Sequence, residues 1–335
     1  MHAGPLLFAP LATRPFGERM AAVLGIELAP LEEREFEGGE HKTRPLVSVR
    51  GRTVYVVQSL SGDASGSAND RLCRLLFLIA GLRDGGAARI TACLPYLAYA
   101  RKDRRTKERD PVNSRYVAQL FEAVGVDHVI AIDVHNIAAF ENAFRCSVDL
   151  LEAAPLLAER IVSAADGRPI AIVSPDFGGA KRAQRVQDLV AARTDLDVGF
   201  AVFEKRRSSG VVSGDLLVGP VAGRHVVLVD DLISAGTTML RAVQCCRAAG
   251  ALSVSAFATH GVFAPGAERL LGPDGPDRLW VTDTLLPVRL QAAAGSAARL
   301  EVLPVAPLFA EAVRRIEAGE SVVALREMER KPPRG

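Results

Sequence analysis

The residues best suited to chemistry lie between Val226 and Thr238, VVLVDDLISAGTT. An apolar run ends in two carboxylates, Asp230 and Asp231, then breaks into a short loop before the helix-like MLRAVQCCRAAGA. A continuous apolar run without alternation reads as a strand buried on both faces, as in a parallel sheet. The loop therefore opens at the carboxyl end of a central strand, where ligands bind in open α/β sheets. Gly236 permits a tight turn, Ser234, Thr237 and Thr238 supply hydroxyls, and the unpaired N–H groups of the helix start face an anion. This is a cradle for one phosphate. Paired carboxylates beside it can accept hydrogen bonds from vicinal hydroxyls and can orient a magnesium ion or its waters. The implied ligand is a sugar phosphate.

Three further stretches carry suitable groups. The run Pro95–Arg109, PYLAYARKDRRTKER, holds Arg101, Lys102, Arg104, Arg105, Lys107 and Arg109 on a loop that leaves a strand end behind Tyr96 and Tyr99. Charge runs usually face water, but cations beside aromatics also suit a polyphosphate with an attached base. IVSPDFGGAKR, Ile172–Arg182, repeats the pattern of strand, acid, glycine turn and helix start, with Asp176 at the strand end. His135, beside Asp133 in AIDVHN, stands at another strand terminus. Magnesium prefers oxygen, so spacing alone does not make His135 a ligand. VFEKRRSSG is expected to end a strand and pass into a polar loop, on which Lys205, Arg206 and Arg207 could close over a transferring phosphoryl group.

The elements that position these groups alternate along the chain. LLFAP, TVYVVQSL, RITACLPYL and HVIAIDVH read as strands, separated by the helices FGERMAAVLG, RLCRLLFLIAGLRDGGA and NSRYVAQLFEAVG. After Phe140 the pattern starts again, with PIAIVSPD, VGFAVFEK, HVVLVDD, SVSAFATH and DRLWVTDT as strands. APLFAEAVRRIEAG is a final amphipathic helix. Strand and helix in turn imply parallel sheets with right-handed crossovers.

With 335 residues the chain is long enough for two domains with full cores. The net charge of +2 points to no nucleic-acid or membrane partner. Cys73, Cys93, Cys146, Cys245 and Cys246 are odd in number and lack metal-ligand spacing, so reduced thiols in a cytoplasmic protein are expected. No apolar stretch has the length of a membrane span.

The stretch from Val226 to Thr238, taken alone, resembles the phosphoribosyl-binding loop both of type I phosphoribosyltransferases and of ribose-phosphate diphosphokinases, and does not separate the two. Taken with FEGGE, ARKDRR, DVH, SPDFGGAKR and EKRR in this order, it resembles the diphosphokinase family over nearly the whole chain. The resemblance implies an α/β protein of two phosphoribosyltransferase-like, Rossmann-like domains, each a mostly parallel sheet flanked by helices. Their expected bounds are 1–148, joined by the helix 305–319, and 149–304, with 325–335 a flexible tail.

Carried over by residue, the resemblance implies that Phe36, Glu40, Arg101, Lys102, Asp103, Arg109 and His135 bind ATP. Asp176, Asp230, Asp231, Ser234, Ala235, Gly236, Thr237 and Thr238 would hold ribose 5-phosphate. His135 and Asp176 would serve magnesium (Mg2+), and Lys205 and Arg207 would be the catalytic cations. The implied reaction moves the β,γ-diphosphoryl group of ATP to the C1 hydroxyl of ribose 5-phosphate, giving phosphoribosyl pyrophosphate (PRPP) and AMP. The active site would be completed by a neighbouring subunit of a homo-oligomer built from dimers, such as a hexamer. Alternatives are a PRPP-consuming transferase and a non-catalytic regulatory homologue. The chain departs from the family pattern at Lys102, where Gln is usual, at Gly38, where Asp or Asn is usual, and at Ser234, where Asp is usual. A lysine at 102 is expected to add charge where the triphosphate lies and to broaden the choice of nucleotide donor.

Overall fold

The computed structural model describes residues 4–208, 211–286, 290 and 299–326, and the backbone alone over 204–208 and 211–215. The chain divides into two compact units, Met1–Glu152 with Val305–Arg326, and a second built on Ala153–Pro304.

Unit 1 carries a five-stranded sheet in the order β1-β4-β5-β6-β7. Its strands are β1 (Leu6–Phe8), β4 (Thr53–Val57), β5 (Arg89–Leu94), β6 (His128–Ile132) and β7 (Ser147–Leu151), and every pairing is parallel. The apolar runs of β4, β5 and β6 are buried as continuous stretches, as strands covered on both faces must be. The helices are α1 (Arg14–Leu24), α2 (Ala68–Asp84), α3 (Asn113–Ala123), the short α4 (Ile137–Ala143) and, from the far end of the chain, α8 (Ala306–Ala318). α8 packs on α1 through an edge-to-face contact of Phe16 with Phe309, ring centroids 5.5 Å apart. The buried Tyr55 hydroxyl donates to Glu317 at 2.8 Å.

LEEREFEGGEHKTRP, polar and glycine-bearing, forms an antiparallel hairpin of β2 (Leu31–Glu35) and β3 (His41–Pro45). Its cross-strand charge pairs, Glu32 with Arg44 and with Lys42 at 2.8 Å, do the work that apolar alternation would do in a buried sheet.

Unit 2 holds a seven-stranded sheet in the order β10-β9-β8-β11-β12-β13-β14. These are β8 (Ile170–Ser174), β9 (Val198–Ser208), β10 (Val211–Val218), β11 (His225–Ile233), β12 (Ser253–Gly261), β13 (Arg278–Thr282) and β14 (Leu300–Leu303). All neighbours are parallel except β9 and β10. The helices α5 (Ala154–Ala164), α6 (Ala180–Ala191) and α7 (Thr237–Ala248) flank it. Far from the loops, Arg160 pairs with both oxygens of Glu301 at 2.8 Å and lies over the buried Trp280 ring.

The five cysteines are free thiols, and burial pushes that of Cys246 up to about 12. Among the described residues no helix is long and apolar enough to cross a membrane. The tail 327–335 lies outside the described residues, while Arg326 is folded back, its Nε donating to the Leu150 carbonyl at 2.9 Å.

Candidate active site

In unit 2 strand register sets where the candidate loop lies. β8 and β11 are parallel neighbours, with Val173 opposite Leu228, so Asp176 and the pair Asp230–Asp231 emerge at one edge of the sheet. β11 runs through both acids to Ile233, and Asp231 is only 3% exposed. Its N–H donates to Asp230 Oδ1 at 2.8 Å. Burial first, then Asp231 itself, pushes the Asp230 carboxyl well above the usual carboxylate range, while Arg182 pulls the other way. Arg182, in the first turn of α6, holds Nη1 3.5 Å from Asp231 Oδ1 and 3.7 Å from Asp230 Oδ1.

Ser234 and Ala235 form the turn, and Gly236 caps α7 in a left-handed conformation, φ 76°. A Cβ there would stand 2.7 Å from Leu270 Cδ1, so both φ and space require glycine. No side chain caps α7, and Ala235, Thr237 and Thr238 are exposed. The helix therefore begins with N–H groups directed at whatever anion lies before it. Asp176 is exposed beyond the end of β8, its Oδ1 accepting the Gly179 N–H at 2.8 Å, and Ser174 Oγ donates to its carbonyl at 2.6 Å. Phe177 next to it is 62% exposed.

Lys205 and Arg207 differ from expectation. They do not stand on a loop after β9; their backbone continues the strand, with Lys205 opposite Asp215 and Arg207 opposite Val212 of the edge strand β10. The register slips between Val212 and Gly214. The tip of this hairpin, Ser209 and Gly210, and with it the expected closing loop, lies outside the described residues.

In unit 1 the basic run leaves the end of β5, and His135 follows the adjacent β6. Asn136 joins them: its Nδ2 donates to Asp103 Oδ2 at 2.6 Å while its Oδ1 caps α4 at the Ala139 N–H. Arg101, Arg104, Arg105, Lys107, Arg109 and His135 are exposed. Lys102 is not among them. Its Nζ donates to Asp110 Oδ2 at 2.6 Å, so the extra charge expected near a triphosphate is spent on a carboxylate inside the loop. Lys102 first, then Thr106, holds the Asp110 carboxyl far below its usual range.

Phe36 and Glu40 stand at the tip of the β2–β3 hairpin, which closes through the Phe36 N–H on the Glu40 carbonyl at 2.7 Å. Phe36 is 39% exposed with Arg34 against its ring, and Gly38 takes φ 80°.

The structure thus brings Asp176, Asp230, Asp231 and the Ser234–Thr238 loop together in unit 2, and Arg101–Arg109 with His135 in unit 1. The sequence reading assigned no role to Asp110, Asn136 or Arg182. Arg182 had a signal, since it follows a glycine turn at the start of a helix; Asn136 partners Asp103, distant in sequence, and Asp110 partners Lys102, Thr106 and Lys107 within a charge run whose pattern does not say which acid meets which base.

Among the described residues no three His, Cys, Asp or Glu side chains cluster to hold a metal. The oxygen-rich pair Asp230–Asp231 and the exposed Asp176 nevertheless suit magnesium, which keeps waters and takes phosphate oxygens instead of filling a protein cage.

A parallel sheet with an uncapped, glycine-started helix behind paired carboxylates defines the phosphoribosyltransferase-like class of α/β protein, and both units have its parallel, helix-flanked sheets. Sequence comparison agrees for both units. Residues 6–125 match the N-terminal domain of ribose phosphate pyrophosphokinase, and 212–326 match the phosphoribosyl synthetase-associated domain. The ribose-phosphate pyrophosphokinase of Granulibacter bethesdensis is 37% identical over 94% of this chain and 97% of its own. That of Haemophilus influenzae is 35% identical over 95% and 98%. The crystal structure of phosphoribosylpyrophosphate synthetase from Mycobacterium smegmatis superposes with a TM-score of 0.84 at 32% identity, covering 95% of this chain and all of that one. The chain belongs to the ribose-phosphate pyrophosphokinase family.

Proposed function

We propose that the protein transfers the β,γ-diphosphoryl group of ATP to the C1 hydroxyl of ribose 5-phosphate, releasing AMP and PRPP. The observation that carries this reading is that one chain holds both the glycine-started, uncapped α7 behind Asp230–Asp231 in unit 2 and the exposed cation run Arg101–Arg109 in unit 1. The 5-phosphate takes the N–H groups and hydroxyls of Ser234–Thr238, and the ribose hydroxyls donate to the two carboxylates. Arg182 keeps those carboxylates from repelling the incoming phosphate. In unit 1 the exposed cations from Arg101 to Arg109 take the triphosphate, and Phe36 offers its ring to the base.

The C1 oxygen attacks the β-phosphorus in line, and the bond from that phosphorus to the oxygen bridging it to the α-phosphate breaks. Lys205 and Arg207 balance the charge that develops on the transferring group. Asp176 in unit 2 and His135 in unit 1 are the residues that would serve magnesium, which would supply neutralisation of the phosphate oxygens. A PRPP-consuming transferase would account for the unit 2 loop but gives no use to the basic loop of unit 1. The exposed Phe77, Tyr116, Leu120 and Ile137 of unit 1 support assembly as a homo-oligomer, which light scattering would measure. A cytoplasmic location suits the reduced thiols.

Incubation with ATP, ribose 5-phosphate and magnesium should yield AMP and PRPP in equal amounts. Lys205→Ala should lower turnover at least about a hundredfold while leaving the fold intact. Absence of AMP from the unaltered protein would refute the reading.

A further inference from the structure

We propose that Asp110 is a positioning residue for nucleotide binding: by holding Lys102 it latches the basic loop between Tyr99 and Asp110, so that Lys102 serves the loop and not the phosphates. The identity of the ligand, a nucleoside triphosphate, rests on the functional reading above. The latch itself rests on the loop.

One oxygen, Asp110 Oδ2, accepts from Lys102 Nζ at 2.6 Å, from Thr106 Oγ1 at 2.7 Å and from the N–H groups of Thr106 and Lys107 at 3.1 Å each. Position 102 is also pinned through its backbone. Its N–H donates to the Tyr99 carbonyl at 3.0 Å, and its own carbonyl accepts from the Ser114 N–H at 3.2 Å. Both ends of the loop are in a conformation that side chains resist, with φ 63° at Tyr99 and at Arg109. Such backbone persists only where surrounding bonds over-determine it.

The charge distribution points the same way. Arg101, Arg104, Arg105, Lys107 and Arg109 face solvent, and among the described residues Glu108 pairs with Arg109 alone, at 4.0 Å. A run of like charges spreads itself apart unless something ties it. The Lys102–Asp110 pair is electrically neutral, so it ties the loop without spending an outward cation. A loop ordered before the nucleotide arrives need not be ordered by it, which raises affinity.

The test is a double-mutant cycle of Asp110→Asn, Lys102→Gln and the two combined, read in two ways. Calorimetry with ATP and magnesium should show binding about fivefold weaker in each single variant and no weaker in the double, because either change opens the same latch. Ribose 5-phosphate binding, unmoved in all three, reports that unit 2 remains folded. Trypsin cleavage after Arg104, Arg105 and Lys107 should be about fivefold faster in all three, again without addition.

Additive effects on either measurement would overturn the latch, since the two residues would then act separately. So would unchanged or tighter ATP binding by Asp110→Asn, as expected of a lysine freed to reach phosphate. No ATP binding by the unaltered protein would overturn the functional reading and the nucleotide part of this proposal, while the cleavage rates would still decide whether the latch exists.

Discussion

Each unit has a helix that starts beyond the carboxyl end of a parallel strand, and the two starts are finished in opposite ways. Between β4 and α2 the loop satisfies itself. Ser67 Oγ accepts the Asp70 N–H at 3.2 Å, Asp70 Oδ2 accepts the Ser67 N–H at 2.7 Å, and Asp63 Oδ1 accepts the Ser65 N–H at 2.8 Å. The buried Arg71 then pairs with Asp63. Between β11 and α7 there is a glycine at the cap, no side-chain cap bond, and two carboxylates behind. The first helix start is complete without a ligand; the second is not. Similar local topology therefore closes on itself in one unit and leaves a helix start open in the other, and the difference lies in which groups the loop's own side chains cap.

The sharpest way to break this contrast is Gly236→Ala. It puts a Cβ 2.7 Å from Leu270 at φ 76°, and should weaken ribose 5-phosphate binding at least about a hundredfold by calorimetry and lower unfolding stability by about 1–3 kcal/mol. Normal binding by that variant would mean the tight turn is not what shapes the cradle.

Next in size is Asp230→Asn, expected to lower turnover about tenfold or more because an amide replaces a charged acceptor of the sugar hydroxyls. The same variant should be more thermostable at neutral pH. Burial raises this carboxyl in the folded state, so the folded form binds more protons than the unfolded chain above the ordinary carboxylate value, and stability falls as pH rises through that window. Asparagine does not titrate. Its advantage in Tm should therefore grow from acidic to neutral pH, as a functional group held against stability predicts. An advantage independent of pH would discard that account.

The smallest effect belongs to the closed joint. Ser67→Ala removes the capping box of α2 and should cost about 1 kcal/mol in urea unfolding. Michaelis constants for both substrates should be unmoved, and a change in either would blur the distinction between joint and binding loop.

Much of the fold was legible because burial follows local periodicity. The short, nearly continuous apolar runs of β4, β5, β6 and β11, bounded by turn residues, read as covered strands, and they are buried as such. The elements that escaped, β2, β3, β7, β10 and β14, are short, half-exposed or edge strands. Their pairing is decided by a partner strand and not by their own pattern. The loop from Asp230 to Thr238 was readable because strand, turn and helix start are consecutive in sequence. The positions of Lys205 and Arg207 were not, because an antiparallel partner beginning at Val211 extends β9 past the point where its apolar run stops.

By itself, then, the sequence determined which strands lie at the centre, which loops leave their carboxyl ends, and that one loop would present N–H groups, hydroxyls and paired acids. The tertiary structure alone decided that Arg182 faces the acid pair, that Asn136 joins the Asp103 loop to the start of α4 beside His135, and that Lys102 belongs to Asp110. Burial is a property of residue type repeated along a segment, whereas a hydrogen bond between long side chains depends on ångström-scale distances that only the folded backbone sets.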